Sequence, residues 1–322
     1  MKNVFTALSV IAAFLFTAVT TGAQEFENSK LTSQTFMAAF FLSENEGWLA
    51  DNNGKLWHTT NAAQTWDSVT VSKNFVQLQF ISSENGFALA SGAAYKTTNG
   101  GLAWSELSLP ENSTPKAICF LDGSTGYISS FEKIFKTADG GASWIVAKIE
   151  GVNILDFHFT GSSMGIAVGY DYNENRCIWR TTDNGATWKS VFNEENHFLN
   201  AVYFVNENSG FAAGYYDRAG MKEPVILSTT DGGATWQKNY RYTAISSDGE
   251  TFTDIRFKNE QEGYALSVHN YDVFTRDGGQ SWQLVNDTDE LSATPVFGLY
   301  QSLAGTGPLY LIGDKGTVSK WE

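Results

Sequence analysis

Residues 137–144 have the sequence TADGGASW, and this phrase decides the fold because five more copies of it lie along the chain. In each copy a threonine precedes an aspartate or asparagine by two residues, and a tryptophan follows that residue by five. The six copies occupy residues 59–66, 97–104, 137–144, 181–188, 229–236 and 275–282. Successive tryptophans are 38, 40, 44, 48 and 46 residues apart, a period typical of four-stranded propeller blades.

The phrase has the composition of a hairpin turn. An Asp or Asn side chain accepts backbone N–H groups, glycine supplies positive φ, and the tryptophan then packs on the preceding hairpin. We therefore expect a structural role for the acidic or amide residue and the tryptophan of every copy. These residues are Asn61 and Trp66, Asn99 and Trp104, Asp139 and Trp144, Asp183 and Trp188, Asp231 and Trp236, and Asp277 and Trp282.

A second signature precedes each phrase: a phenylalanine six residues before a glycine, with another apolar residue two positions before the phenylalanine. The pairs are Phe41 and Gly47, Phe80 and Gly86, Phe120 and Gly126, Phe159 and Gly165, Phe204 and Gly210, and Phe257 and Gly263. Apolar residues at period two predict a strand with one buried face. Each unit is thus predicted to have strand A ending near the Phe, strand B from the Gly, strand C ending at the Thr and strand D through the Trp.

The chain after Trp282 predicts three more strands, at residues 294–300, 308–314 and 316–322, without a seventh phrase. Phe26 precedes Phe41 by 15 residues, much as Trp66 precedes Phe80 by 14, so residues 25–33 are predicted to supply the missing strand D. Such closure leaves no free sheet edge. The predicted fold class is all-β: a seven-bladed β-propeller of four-stranded antiparallel blades, the last closed by the N-terminal strand.

The first 23 residues have the pattern of a secretory signal peptide. Lys2 precedes an apolar run from Val4 to Val19, and small residues follow up to Ala23. That run is short for a membrane span of about 20 residues. We expect cleavage after Ala23, a single domain over residues 24–322, a secreted or periplasmic location and no later membrane span.

Composition narrows the classes of partner. Without the signal the chain has 20 basic and 35 acidic residues, and such a surface repels phosphate backbones and anionic lipids, which excludes nucleic acid. Two cysteines, Cys119 and Cys177, are too few for a disulfide scaffold, and we expect them to be unpaired. The four histidines show no metal-ligand spacing, so no metal or cofactor is expected. We expect a monomer.

The pattern T-x-[DN]-x-[GA]-x-x-W resembles the Asp-box, or BNR repeat. Together with the Phe and Gly strands it looks most like the photosystem II stability and assembly factor-like propellers and their non-photosynthetic bacterial relatives, over residues 26–322. This resemblance implies the propeller fold and a box that lies on turns away from the ligand. It leaves function open, because the same box occurs in sialidases, sortilin-type receptors, xyloglucan-cleaving hydrolases and binding proteins. A sialidase would need an arginine triad, but the six arginines, Arg176, Arg180, Arg218, Arg241, Arg256 and Arg276, all lie after the third unit.

Polar residues alternate with the apolar ones on strand A, and innermost propeller strands line a central channel. They are Gln77, Gln79, Cys119, Asp156, His158, Tyr203, Asp254 and Arg256. Converging polar groups in a concavity make a candidate site. The alternative is a structural network in which Asp156 pairs with His158 or Arg256. For an enzyme, we predict Asp156, His158, Tyr203, Asp254 and Arg256 as the catalytic set of a glycoside hydrolase or polysaccharide lyase.

The fourth to sixth units are longer than the others, and their extra residues fall in the B–C and D–A connections, which are rich in tyrosine. Tyrosine suits protein hot spots and sugar stacking, although variable loops with solvated tyrosines would look the same. The predicted ligand or partner contacts are Gln79, His158, Tyr203, Arg256, Tyr172, Tyr216, Arg218, Tyr242 and Tyr271. The favoured hypothesis is a non-enzymatic propeller that binds a protein or a glycan, and the alternative is the carbohydrate-active enzyme.

Overall fold

The computed structural model of the protein describes residues 26–110, 113–161, 163–171, 176–241, 250–268, 271–285, 296–301, 308–313 and 317–321. The predicted signal peptide and its cleavage site lie outside the described residues. Every regular element in the described part is a β-strand. That part contains no helix with the length and hydropathy needed to cross a bilayer.

The strands are numbered in chain order. They are β1 (Phe26–Lys30), β2 (Phe36–Phe41), β3 (Gly47–Asp51), β4 (Lys55–Thr59), β5 (Asp67–Thr70), β6 (Phe75–Phe80), β7 (Gly86–Ala90), β8 (Ala93–Thr97), β9 (Ser105–Glu106), β10 (Ala117–Phe120), β11 (Gly126–Thr137), β12 (Ile145–Thr160), β13 (Met164–Asp171), β14 (Arg176–Thr181), β15 (Lys189–Asn193), β16 (His197–Phe204), β17 (Gly210–Arg218), β18 (Met221–Thr229), β19 (Gln237–Arg241), β20 (Phe252–Phe257), β21 (Gly263–Ser267), β22 (Val273–Thr275), β23 (Gln283–Leu284), β24 (Val296–Gln301), β25 (Leu309–Gly313) and β26 (Thr317–Trp321).

These strands form antiparallel sheets of consecutive strands, which we number I to VI. Four-stranded sheets are I (β2–β5), II (β6–β9), IV (β16–β19), V (β20–β23) and VI, whose order is β24, β25, β26, β1. Sheet III has six strands, β10–β15. Within it, β12 pairs with β11 through residues 145–148 and with β13 through residues 152–160, so one strand runs through without an intervening loop.

The sheets close into a ring. Strand β2 contacts β6, and β6 contacts β10; within sheet III β10 contacts β12, which contacts β16 of sheet IV. Strand β16 contacts β20, β20 contacts β24, and β24 of sheet VI contacts β2 of sheet I. Strand β1 pairs antiparallel with β26, with Phe26 opposite Trp321 and Lys30 opposite Thr317. The expected contribution of the N-terminal strand to the last sheet is therefore observed, and the molecule is an all-β propeller.

Aromatic stacking joins neighbouring sheets. The ring that follows the strand-B glycine lies on the phenylalanine that ends the next strand A, at centroid distances of 3.6 Å for Trp48 and Phe80 and 3.4 Å for Phe87 and Phe120. Tyr310 makes the same contact with Phe41 at 3.7 Å, which links the last sheet to the first. These nearly parallel rings bury apolar surface between neighbouring sheets, and that burial helps to hold the ring together.

The Asp-box phrases form the turns between strands C and D. In each turn the box threonine hydroxyl donates to the Asp or Asn Oδ1 at 2.7–3.0 Å and accepts the N–H of the residue four positions later at 2.8–3.2 Å. Hydroxyl donors, first among them Ser143, Thr187 and Thr235, lower the pKa of Asp139, Asp183 and Asp231 to about 2. Each box tryptophan meets the strand-A phenylalanine of its sheet edge-on, 5.8–6.5 Å between centroids. The Asp and Asn side chains of the box are thus hydrogen-bonded within the turns, and the box tryptophans pack on strand A.

The propeller has two different faces. On one, which we call the box face, box turns bond the A–B turns of their own sheets, as when Gly140 N–H donates to Ser124 O at 2.8 Å. On the other, the loop face, B–C and D–A connections meet, as when Asp217 N–H donates to Asn196 O at 2.7 Å. Strands β17 and β18 have nine residues each, against five in β7 and β8, so their hairpin projects from the loop face. We call residues 215–224 at its end the arm.

Candidate functional site

Strand-A glutamines connect sheets II and III. Gln79 accepts the N–H of Phe120 and donates to its carbonyl, both at 2.7 Å. Gln77 holds Ile118 in the same way, at 3.0 and 3.2 Å. These side-chain amides act as additional ladder bonds between β6 and β10. The amide of Gln79, a predicted ligand contact, is therefore engaged in holding the ring together.

The other polar strand-A residues, Asp156, His158, Tyr203, Asp254 and Arg256, do come together, and we call them the central cluster. The two carboxylate oxygens of Asp156 accept the N–H of Val202 in the next sheet at 3.0 Å and its own neighbour's N–H, from Phe157, at 2.9 Å. Burial raises the pKa of Asp156 to about 6, while the Arg256 charge and the Val202 bond oppose that rise. Asp156 therefore carries a proton more readily than an ordinary aspartate.

His158 and Tyr203 form the aromatic side of the central cluster. The His158 ring lies 5.3 Å from the ring of Tyr203 and 6.0 Å from that of Phe204. Burial, followed by the charge of Arg256, lowers the pKa of His158 to about 3, so the imidazole is neutral at ordinary pH. The Tyr203 hydroxyl donates to Phe257 O at 3.3 Å, and burial raises its pKa.

The ion pair of the central cluster lies within one strand. Arg256 contacts Asp254 at 2.9 Å, and its guanidinium lies 5.6 Å from the Tyr203 ring centroid. The second carboxylate, Asp254, also accepts the N–H of Ile255 at 2.8 Å. Carboxylates that act on sugars must reach one glycosidic bond from two sides. Here both carboxylates accept backbone N–H groups, and the ion pair joins Asp254 to Arg256. The cluster is therefore a hydrogen-bonded network, but its ion pair differs from the expected pairing of Asp156 with His158 or Arg256.

On the loop face, the two arm tyrosines are braced on both sides. The Tyr216 ring lies 5.0 Å from His197 and 4.4 Å from the guanidinium of Arg241, which pairs with the buried Glu223. The Tyr215 ring stacks on Phe198 at 4.4 Å and carries the ammonium of Lys222 at 4.8 Å. These contacts give the arm a defined aromatic and cationic surface.

The other residues that were predicted to contact a ligand from the B–C and D–A connections lie in different surroundings. Arg218 lies at the arm turn, with most of its side chain exposed and one nitrogen 3.8 Å from Glu223. Tyr271 follows strand β21 in the B–C connection of sheet V, and its N–H donates to Ser267 Oγ at 2.7 Å. Its neighbour Asp272 is half-buried and accepts the Tyr264 hydroxyl at 2.7 Å. Tyr172 and Tyr242 lie outside the described residues.

The loop face also carries exposed apolar side chains that the sequence pattern does not predict. Met37 and Val76 are 38% and 54% exposed, and each is the extra residue of a β-bulge between strands A and B. The same bulge recurs at residues 155, 200 and 253. A bulge turns one residue out of the ladder. Its position depends on the register of the partner strand, and the apolar period within strand A gives no signal of that register.

Metal and thiol chemistry find little support among the described residues. No group of three His, Cys, Asp or Glu side chains lies close enough there to hold a metal ion. Burial raises the pKa of the Cys119 thiol to about 12 and that of the Cys177 thiol to about 11. Neither thiol is a ready nucleophile.

Comparison with known proteins gives a family match. The family model described as photosynthesis system II assembly factor YCF48 matches residues 96–198 and 192–320. The photosystem II assembly lipoprotein Ycf48 of Synechococcus sp. (strain CC9902) is 30% identical over 174 residues, covering 51% of this chain and 47% of that protein. The match therefore spans about half the length of that relative. The chloroplastic photosystem II stability/assembly factor HCF136 of Oryza sativa subsp. japonica is 21% identical over 311 residues, 91% of this chain and 67% of that protein.

Solved structures share the fold. The structure of YCF48 bound to D1 peptide has a TM-score of 0.69 at 18% identity and covers 95% of this chain and 99% of its own. The GH74 xyloglucanase from Xanthomonas campestris also has a TM-score of 0.69, at 12% identity, covering 91% of this chain and 53% of its own. At such identities the two likenesses establish the fold alone, and they come from a binding protein and from an enzyme.

Proposed function

Because the chain belongs to the family described as photosynthesis system II assembly factor YCF48, we propose that it is a non-enzymatic β-propeller that binds a partner polypeptide on its loop face and serves its assembly. The observation that carries this proposal is the distribution of exposed apolar side chains. Of the eight large apolar residues exposed in the described part, five lie on the loop face: Met37, Val76, Phe131, Met221 and Val268. These five side chains come from five different sheets and share one face, and apolar exposure gathered on one face supports an interaction site there.

The arm supports the same proposal. Met221 and Arg218 stand exposed at its end, and Tyr215 and Tyr216 are held between neighbouring rings and cations. Rigid aromatic side chains and arginine supply most of the binding energy of protein interfaces. One structure of similar fold is that of YCF48 with a bound D1 peptide, and a polypeptide is the type of partner proposed here.

We also propose that the ring has seven blades. Strand β11 supplies strands B and C of one blade, since its first part pairs with β10 and its last part with β12. Strand β12 then supplies strand D of that blade and strand A of the next, which divides sheet III in two. Counting β12 once as an A strand, the strands in contact around the ring are β2, β6, β10, β12, β16, β20 and β24.

The signal peptide of residues 1–23, a single domain over residues 24–322, a monomeric state and a secreted or periplasmic location remain proposals from the sequence. A partner polypeptide would then be met outside the cytoplasm. The apolar run from Val4 to Val19 and the small residues before Gln24 support this placement.

A carbohydrate-active enzyme is the second candidate function, and one observation favours it: Asp156, with its pKa raised to about 6, resembles a general acid. Against it, the Asp156 oxygens accept two backbone N–H groups, and Asp254 is paired with Arg256. The central cluster thus supports the ring more directly than it supports catalysis.

The proposal is tested by capture with the tagged protein from the envelope of its native host, beside a screen of polysaccharide hydrolysis. A Tyr216→Ala, Met221→Ser variant should lose the captured polypeptide, because both changes remove loop-face contact area. The matched control, Leu102→Ser, removes an exposed apolar residue from the box face and should retain it.

The hypothesis of a carbohydrate-active enzyme predicts a different result in the polysaccharide screen. Turnover of a polysaccharide that is abolished by His158→Ala and Arg256→Ala would replace the proposal, as would specific retention of a glycan with no polypeptide. Equal capture by the loop-face variant and the wild type would place the binding surface elsewhere.

A further inference from the structure

A buried histidine packs against the arm where the arm meets the propeller. Strand β16 begins at His197, which lies opposite Tyr216 as the first pair of β16 and β17. The His197 side chain is buried, with its ring 5.4 Å from Phe192 of β15 and 5.0 Å from Tyr216 of the arm. This histidine therefore joins the arm to the preceding sheet.

The two ring nitrogens of His197 have unequal environments. Nδ1 lies 3.1 Å from the carbonyl oxygen of Glu195, which only accepts hydrogen bonds, so Nδ1 carries the proton. Nε2 is buried and has no hydrogen-bond partner among the described residues. A neutral ring leaves a lone pair there at modest cost, whereas a protonated ring would place an N–H without an acceptor in the interior.

Charged groups face His197 from several elements. Glu194, just before β16, lies 3.8 Å from Nδ1, but Lys238 of β19 holds the same carboxylate at 3.0 Å. The Arg241 guanidinium lies beyond the Tyr216 ring, and Lys238 lies 5.9 Å from that ring. Burial first and the Lys238 charge second lower the pKa of His197, and the contacts with Glu195 and Glu194 oppose this shift without reversing it.

We propose that His197 is an acid-sensitive latch: the neutral ring holds the arm on the loop face, and protonation at Nε2 releases the arm. Release of a bound partner on acidification follows if the arm contacts that partner, and this consequence rests on the proposed function. The opening of the arm does not depend on it.

The direction of the effect follows from linkage. In the released arm His197 has an ordinary histidine pKa of about 6.5, and in the latched arm its pKa is lower. The ratio of latched to released molecules is therefore highest above about pH 6.5. Below pH 6.5 this ratio falls by up to about tenfold per pH unit, until the pH reaches the pKa that His197 has in the latched state.

Hydrogen exchange of the arm tests the latch. Peptides covering residues 212–224 of the wild type are compared at pH 7.5 and 5.0 after correction for the intrinsic rates. We expect the opening constant of the arm to be higher at pH 5.0 than at pH 7.5, by at most about tenfold for each pH unit below 6.5. His197→Gln, which removes the titrating ring, should abolish this change. Wild-type protection that is independent of pH, or a full response in His197→Gln, would overturn the proposal.

Two variants separate His197 from other titrating groups. His58→Gln removes a histidine that faces Glu46 at 3.0 Å on the box face, and Asp156→Asn removes the carboxyl with a pKa of about 6. Both should keep the wild-type response of the arm. Should His197→Gln fail to fold, NMR titration of the wild-type His197 ring decides the matter, since a pKa at or above 6.5 would contradict the latch.

Capture at the two pH values tests the consequence for the partner. Loss of the polypeptide at pH 5.0 in the wild type but not in His197→Gln supports release by the latch. An arm that opens while the partner stays bound refutes release, whereas absence of capture at both pH values counts against the proposed function and leaves the arm result unaffected.

Discussion

At the scale of single residues, two half-buried titratable groups of the central cluster, Asp156 and His158, change the stability of the protein in opposite directions as the pH changes. The pKa of Asp156 is raised to about 6, so its stabilising contribution is present below the unfolded value of about 3.9 and is lost as the pH rises through 6. The pKa of His158 is lowered to about 3, so its contribution is present above about 6.5 and is lost as the pH falls toward 3. Between pH 4 and 6 the two effects partly cancel.

Replacing Asp156 by asparagine should remove the pH-dependent contribution of Asp156 to stability and leave that of His158. Asparagine keeps an oxygen for the Val202 N–H and cannot ionise, so Asp156→Asn should match the wild type near pH 4 and be more stable near pH 7 by up to about 3 kcal/mol. Urea unfolding at the two pH values measures this difference.

Asp231→Asn serves as a control, because it should change the stability at pH 7 in the opposite direction. The pKa of this box carboxylate is lowered to about 2 by Thr235, so the stabilising contribution of its charge is present above about pH 3.9. That variant should be less stable than the wild type at pH 7. An Asp156→Asn protein that is also destabilised at pH 7 would show that the Arg256 attraction outweighs burial.

At the scale of elements, the phenylalanine at the end of strand A is packed between the strand-B glycine of its own hairpin and an aromatic ring of the preceding sheet. A Cβ atom at Gly126 would lie 2.3 Å from the ring of Phe120, and the other face of that ring stacks on Phe87 at 3.4 Å. The ring therefore has no room to move in either direction. Basic side chains add a second link between sheets, as when Lys96 donates to Gly140 O at 3.2 Å and Arg180 to Gly232 O at 2.7 Å.

Gly126→Ala should accordingly destabilise the protein by about 1–3 kcal/mol, the usual cost of overpacking. Gly123→Ala, three residues earlier, meets only a methyl group of Ile81 at 3.4 Å and should change the free energy of unfolding by less than about 0.5 kcal/mol. Chemical denaturation of the two variants makes the comparison, and similar losses at both positions would show that the packed phenylalanine is not the cause.

At the scale of the whole molecule, stability depends on joining the two ends of the chain. Strand β1 pairs with β26 along all five of its residues, and Tyr310 of the last sheet stacks on Phe41 of the first. A ring closed in this way exposes no unpaired strand at its seam. Without β1, the edge of β26 would be open, beside the buried Trp321.

Deleting residues 24–30 should therefore lower Tm by about 5 °C or more, the shift that a loss of roughly 3 kcal/mol gives in a large domain. Removing residues 1–23 alone should leave Tm unchanged, because that segment precedes the closing strand. Thermal unfolding followed by circular dichroism gives both values, and equal Tm values for the two truncations would contradict closure by β1.

The sequence by itself determined the repeat, the turn role of the box and the strand pairing of the two ends, because these depend on local turn chemistry and on a period that survives in every copy. The convergence of Asp156, His158, Tyr203, Asp254 and Arg256 was also predictable, since equivalent positions of strand A meet at the ring centre. Only the tertiary structure showed that Gln79 binds a neighbouring backbone, that Met37 and Val76 bulge outward, and that His197 is buried under the arm with one nitrogen unpaired. Such features depend on which groups a side chain meets across a sheet boundary, and spacing along one chain does not specify those contacts.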